Sequence, residues 1–362
     1  MLSCLYSLII VFFSVKNKLT FHGSQVQNIK LKTQGDSKSE EFRSGYDGSC
    51  SVDCTVGTPC QYPDQVDLRV IVLTYDRPDS LTKCLTHVYE LDTLGDRVSV
   101  HIWVDRAVDG HVDNETVRVA RQFARRTRPS NWQSCVHVRE RNAYIMGQWI
   151  DTWRPRPNSS ELAIILEDDI DVSPLAYRWL KTIHGHFGST QDIAGYALQM
   201  EDITTKRGKI RPIKGPASDV VYLYAPFCTW GFSPRAEFWR KFQDWFHLTR
   251  RHKPDFRPYV PDIISTTWFK QAEREGRPDS VWEMWFNYFC NANKHLTVHP
   301  NLRAYTGRED VLLDTNRRER GLHFSGKNRT NADKYLLRRW EPSFEKFPEN
   351  ISRYGFDGEL LS

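Results

Sequence analysis

Glu167, Asp168 and Asp169 are three consecutive carboxylates that follow directly on the apolar run Leu162-Ala-Ile-Ile-Leu166. Three neighbouring acids repel one another unless a cation sits among them, and hard oxygen ligands suit Mn2+ or Mg2+. A metal held there can in turn hold a diphosphate. The run that delivers the acids has β-branched content and a hard stop, which reads as a central strand of a parallel sheet covered on both faces. In such sheets ligands bind beyond the carboxyl ends of the strands. The plainer reading is that acids after a strand cap the next helix. Asp171-Val-Ser-Pro174 does look like a helix start, with Ser173 ahead of a proline at the first helical position. Asp171 is therefore the acid expected to cap only.

Other strand ends carry polar groups to the same edge. Leu68 to Thr74 is an apolar strand followed by Tyr75-Asp-Arg-Pro78, where the proline opens a helix. Val98 to Val104 is a second strand, ending at Asp105. Cys135 to Val138 marks a short third strand, and a helix follows near Gln148 to Trp153. Strands and helices alternating in units of about 30 residues imply an α/β fold with a mostly parallel, doubly wound sheet. A nucleotide at its edge needs an acceptor for base or ribose hydroxyls and a cation for phosphates, which Asp105 and Arg77 can supply. The bland alternatives are an Asp105 that caps a helix and an Arg77 that pairs with Asp76. No Gly-x-Gly-x-x-Gly or Gly-Lys-Thr loop occurs, which disfavours dinucleotide redox enzymes and P-loop NTPases. Phosphate binding by a metal instead points to sugar-nucleotide chemistry.

Beyond residue 190 the pattern changes. Ile193 to Met200 and Val220 to Tyr224 read as strands. Phe227-Cys-Thr-Trp-Gly-Phe-Ser-Pro234 reads as an aromatic turn before a helix from Arg235 to Phe246, and a second aromatic helix runs from Val281 to Phe289. The expected shape is a nucleotide-binding first half joined to an aromatic, acceptor-binding C-terminal half. Thr204 to Ser218 is a basic stretch that matches no pattern.

The 362 residues, with 12 Trp, 15 Tyr and 19 Phe, can bury a large core. A net charge of +5 that is spread along the chain gives no case for nucleic acid. Arg118, Arg121, Arg125, Arg126 and Arg128 fall at helical spacing and read as one solvated face. Residues 1–15 are apolar, at a length short of the roughly 20 that span a bilayer, and read as a signal peptide or an uncleaved signal anchor. Residues 16–62 are polar and aperiodic and read as a stem, leaving 63–362 as the folded domain. Four N-glycosylation acceptors, at Asn114, Asn158, Asn328 and Asn350, agree with secretory entry. So does the cluster Cys50, Cys54 and Cys60, which suggests disulfides. Of 8 cysteines, Cys4 lies in the leader, so at least one of the rest stays unpaired within the chain.

Taken together, Asp76-Arg-Pro, Asp105, Leu166-Glu-Asp-Asp-Ile, Trp230-Gly-Phe and Trp282-Glu-Met-Trp285 make the chain resemble GT-A fold glycosyltransferases. The likeness is greatest to the group containing N-acetylglucosaminyltransferase I and the protein O-mannose N-acetylglucosaminyltransferase, and it spans roughly Leu68 to Phe324. It implies an inverting transfer of a sugar, GlcNAc favoured, from a UDP-sugar to a hydroxyl of a glycan or glycoprotein, with Mn2+ or Mg2+. It implies Asp169 as the metal ligand, with Glu167 and Asp168 on the sugar nucleotide or on metal-bound water, and Arg77 and Asp105 at the uridine end. Trp230 and Gly231 would form the turn where donor and acceptor meet. Glu283 would be the general base, although the group carries an Asp there. His323 would lie on the metal or on the diphosphate. The implied setting is the Golgi or ER lumen on a single-pass type II anchor, with secretion as the alternative. Trp282 and Trp285, three apart on a helix, suit a core or an acceptor platform better than catalysis. The rival readings are a lumenal protein of the same fold that binds sugar nucleotide or glycan without turnover, and a nucleotidyltransferase. The latter usually carries a Gly-rich loop where Tyr75-Asp-Arg-Pro78 stands here.

Overall fold

A computed structural model describes residues 54–361 except 127–128, 200–202, 207–208, 214, 226–228, 262 and 318–331. The expected leader, nearly all of the expected stem, Asn328 and His323 lie outside the described residues. Among the described residues no helix is long and apolar enough to cross a membrane.

The chain begins as strand–helix units: β1 (Leu68–Thr74), α1 (Pro78–Tyr89), β2 (Val98–Val104), α2 (Asn114–Ala124), β3 (Trp132–Val138), α3 (Tyr144–Asp151) and β4 (Leu162–Glu167). A three-residue strand β5 (Ile170–Val172) follows the acids, then α4 (Ala176–Phe187) and β6 (Ile193–Ala197). The strands β7 (Ile203–Lys206) and β8 (Lys209–Pro212) pair only with each other. Next come β9 (Val221–Tyr224), β10 (Gly231–Pro234), α5 (Ala236–His252), α6 (Ile264–Arg274) and α7 (Glu283–Asn293). The chain closes with β11 (Leu296–Pro300), α8 (Leu302–Thr306), β12 (Asp314–Asn316) and β13 (Arg353–Tyr354).

Nine strands form one sheet in the order β13-β9-β11-β6-β10-β4-β1-β2-β3. The strands β3, β2, β1 and β4 are mutually parallel; β10 runs against both β4 and β6, and β11 is parallel to β6. This is the α/β, mostly parallel architecture that the strand–helix alternation implies. Successive strand residues point to opposite faces, and β1 shows the result. Val70 and Val72 enter a core with Leu81 and Leu85 of α1, Val117 and Ala120 of α2, and Trp179 and Ile183 of α4. Ile71 and Leu73 enter a second core with Trp149 of α3, Trp239 and Phe242 of α5, and Phe286 of α7. Both faces are covered, which is why β1 and β2 are apolar almost throughout. Among the polar residues these strands do carry, Arg69 is fully buried and makes two 2.8 Å hydrogen bonds to the Glu161 carboxylate. A pairing of this kind is what a buried guanidinium requires.

Several elements differ from expectation. Gly231–Pro234 is a strand, where its Trp-Gly and Ser-Pro signals suggest a turn. Its place in the sheet, between β4 and β6, supplies hydrogen bonds that local propensity does not. The third strand starts at Trp132, three residues early, because its whole length pairs with β2. The packed structure also includes Cys60 and Tyr62, both buried, with the Cys60 amide donating to the Asp151 carbonyl at 2.8 Å.

Cys54 and Cys60 form a disulfide, and Cys135 is disulfide-bonded too. Cys84 and Cys290 are buried free thiols. Asn114, Asn158 and Asn350 are exposed, as glycan acceptors must be. The arginine face of α2 is exposed as well, and Arg118 pairs with Glu115 at 2.6 Å.

Candidate active site

The strand order reverses beside β1. From β1 the chain moves outward through β2 to β3, then returns to place β4 on the other side of β1. Such a switch point opens a crevice at the carboxyl ends of the two strands. In register, Leu73 of β1 stands opposite Glu167 of β4, so Arg77 and the acids 167–169 meet at that crevice.

Each acid is held differently. Glu167 continues the β4 face of Ala163 and Ile165, so it points toward the layer of α3, where Trp149 Nε1 donates to its Oε1 at 3.0 Å. Trp149 in turn stacks on Trp282 at 4.4 Å between ring centroids, which ties the end of β4 to the start of α7. Burial first, and the neighbouring Asp169 charge next, push the Glu167 carboxyl up to about 8. Asp168 is fully buried: Thr74 Oγ1 donates to its Oδ2 at 2.6 Å, and Arg77 forms an ion pair with its Oδ1. Burial raises it to about 6 despite Arg77 and Thr74. Asp169 meets Arg77 Nη1 at 3.4 Å and Asn316 Nδ2 at 3.5 Å, both at the long limit of a hydrogen bond. Arg77 thus spans Asp168 and Asp169, the place where a cation among the acids is expected.

The turn that presents the acids is fastened from outside. Arg317, just past β12, donates its backbone amide to the Asp169 carbonyl at 2.9 Å and its Nη2 to the Asp168 carbonyl at 2.6 Å and to Ser80 Oγ at 2.9 Å. Its Nη1 forms an ion pair with Asp171. Asp171 is therefore not the cap of α4, whose N-cap is Leu175, and Ser173 Oγ accepts the Leu175 amide just ahead of the helix. A buried guanidinium of this kind cannot be lost cheaply. Arg317→Leu is expected to cost about 3–5 kcal/mol of stability, because it leaves the Asp171 carboxylate buried and unpaired. Urea unfolding measures it, and Asp171→Leu in the same chain should restore a large part of the loss.

The remaining candidate residues fall on neighbouring elements. Asp105 ends β2 and is buried, with its Oδ1 accepting the Ala143 amide at 2.9 Å, so it caps α3 rather than the helix that follows it in sequence. Burial raises its carboxyl, and backbone amides hold the rise in check. Gly231 opens β10 opposite Leu166. A Cβ there would lie 2.7 Å from Asp314 Oδ2 and 2.9 Å from Leu198 Cδ1, so any larger residue would have to displace those side chains. Trp230 before it is half-buried against the first core. Glu283 begins α7 and is partly exposed; burial raises its carboxyl to about 7, opposed only by its own backbone amide. Trp282 and Trp285 on either side are core residues, 2% and 4% exposed.

Sequence reasoning missed Trp149, Arg317 and the polar strand β12, and placed Thr74 at the sheet edge without its bond to Asp168. Trp149 stands in a helix that the apolar pattern does place, but its partner Glu167 is 18 residues away. Nothing local marks Arg317, whose partners lie up to 237 residues distant. Elsewhere, a groove of about 910 Å³ between α1 and α2, lined by Leu85, Val117, Phe123, Arg121 and Arg125, holds none of the candidate residues.

No family model and no curated relative matches the chain. Among solved structures, it is similar to the mannosyltransferase PcManGT from Pyrobaculum calidifontis in complex with GDP-Man and Mn2+. The identity is 12%, over 66% of this chain and 72% of that one, with a TM-score of 0.36. A likeness this loose leaves the site to be argued from its own residues.

Proposed function

We propose that the chain is an inverting, metal-dependent glycosyltransferase of the GT-A type, moving a sugar from a UDP-sugar to a hydroxyl of a glycan or glycoprotein. GlcNAc is the sugar that the sequence resemblance favours. The observation that carries this reading is the placement of Glu167, Asp168 and Asp169 with Arg77 at the switch point between β1 and β4.

The acids fit a hard divalent cation. They are oxygen donors in a buried turn, burial and then the Asp169 charge raise Glu167 and Asp168, and Arg77 spans two of the three. Among the described residues no three His, Cys, Asp or Glu side chains form a cage. Mn2+ and Mg2+ ordinarily take one or two carboxylates and complete their shell with phosphates and water. Asp169 would hold the ion, which when bound neutralises the charge of the leaving diphosphate. His323 stays a proposal from the resemblance.

The other groups have distinct tasks. Arg77, able to swing from Asp168 and Asp169 once a cation is present, would face the phosphates. Asp105 and the loop it anchors would face the nucleoside. The Glu283 carboxylate would accept the proton of the acceptor hydroxyl as that oxygen attacks the anomeric carbon, and the glycosyl bond to the diphosphate breaks on the opposite side. A near-neutral carboxyl suits a base that works at physiological pH. The Cys54–Cys60 bridge and the exposed acceptors at Asn114, Asn158 and Asn350 support a lumenal, Golgi or ER, setting.

The test is a panel of nucleotide sugars incubated with the full chain, with and without Mn2+, reading release of nucleoside diphosphate. Metal-dependent release from one UDP-sugar is expected. Metal-dependent binding of UDP with no release from any donor would instead establish the non-catalytic binding protein.

A further inference from the structure

We propose that Asp314, beside Gly231, binds a hydroxyl of the sugar carried by the donor. The inference rests on the glycosyltransferase reading and goes beyond it by assigning the group that tells one donor sugar from another.

Asp314 is 4% exposed, and its Oδ2 has no hydrogen-bond partner among the described residues. A protein loses stability by burying such an oxygen unpaired, so an orphan of this kind calls for an explanation. Three placements put it at the site. Its Oδ2 lies against Gly231, the residue that pairs with Leu166 immediately before the three acids. It shares a face of β12 with Asn316, two positions on, and the Asn316 amide reaches the Asp169 carboxylate. The strand β12 itself is the antiparallel partner of β5, which continues directly from the acidic turn. Asp314 thus sits between the start of β10 and the turn that would hold the metal.

The chemistry selects the ligand. A diphosphate would be repelled by any carboxylate character and offers no proton. Burial pushes the Asp314 carboxyl well above the usual range, which favours its protonated form, and that form presents an O–H donor and an acceptor oxygen together. A sugar hydroxyl is the matching group, since it both accepts and donates. Gly231 has a defined part here, for any side chain at that position would collide with the Asp314 carboxyl.

The test compares two affinities in the full chain with Mn2+: that for the nucleotide sugar the wild type turns over, and that for its own nucleoside diphosphate. Asp314→Leu is expected to bind the diphosphate as the wild type does, and the nucleotide sugar at least about tenfold more weakly, because a site built for a hydroxyl loses its partner. Asp314→Asn, which keeps a donor and an acceptor, should recover most of that difference. The Leu variant should also melt no lower than the wild type, since an unpaired buried group has been removed. Should it prove too unstable to purify, Asp314→Ser reads the same two affinities. Unchanged affinity for the nucleotide sugar, or equal loss for both ligands, would overturn the assignment and leave Asp314 as part of the architecture. A wild type that binds no nucleotide sugar would remove the glycosyltransferase reading and this inference with it.

Discussion

Asp169→Ala is expected to lower metal-dependent release of UDP by a hundredfold or more while leaving the chain folded. The three acids stand in series, yet their surroundings separate them. Asp168 is engaged by Thr74 and Arg77 and is sealed from solvent, so its oxygens serve the turn. Glu167 accepts from Trp149 and is turned toward the α3 layer. Asp169 makes long contacts to Arg77 and Asn316, which a cation can displace at small cost. Removing it takes away charge stabilisation at the leaving group worth about 3 kcal/mol, roughly a hundredfold in rate. Arg77 keeps its ion pair with Asp168 in that variant, so the turn should persist. The companion variant Asp168→Ala separates the roles, because it strands Arg77 and Thr74 and should lower the unfolding midpoint as well. Measured Mn2+ affinity should fall in the Asp169 variant. Release of UDP at the wild-type rate by Asp169→Ala would sink the metal assignment.

Glu283→Gln is expected to slow transfer by about a hundred- to ten-thousand-fold, the range that a positioned general base contributes. The amide keeps the size and the place at the start of α7 but cannot take a proton. The pH profile gives a second readout. Burial lifts the Glu283 carboxyl to about 7, and the base works only when deprotonated. Transfer should therefore rise with pH up to about 7 and level off above it, falling about tenfold for each unit below. In the Gln variant this limb should vanish, with KM for the donor little changed. A wild-type profile that is flat between pH 5.5 and 8, or a Gln variant of full activity, would exclude Glu283. Its neighbours Trp282 and Trp285 are core residues, so their substitution should act first on stability and only through it on rate.

The parts of the fold legible in sequence are those that local pattern dictates. The strands Leu68–Thr74 and Val98–Val104 stand where the apolar runs put them, because a strand buried on both faces is mostly apolar and admits a polar residue only where a partner meets it. The helix after the third strand was visible but begins at Tyr144 rather than Gln148, since its cap comes from Asp105, 38 residues earlier. Past residue 190 the reading weakens. Gly231–Pro234 carries turn residues and is a strand only because β4 and β6 leave a slot for it. The strand Asp314–Asn316 has no apolar period at all and is held by pairing with Ile170–Val172.

By itself the sequence determined an α/β sheet with acids at the end of a central strand, and therefore an edge at which a cation and phosphates can meet. Hydrophobic periodicity and the charge of neighbouring residues are local properties, and both were written in order along the chain. The division of labour among those acids was decided only by tertiary structure. Thr74, Arg77, Trp149 and Asn316 reach them across distances of 18 to 147 residues. Arg317, from the far end of the domain, closes the turn that presents them. Whether a carboxylate is spent on the fold or left for a ligand depends on which donors surround it, and those donors come together only when distant segments pack.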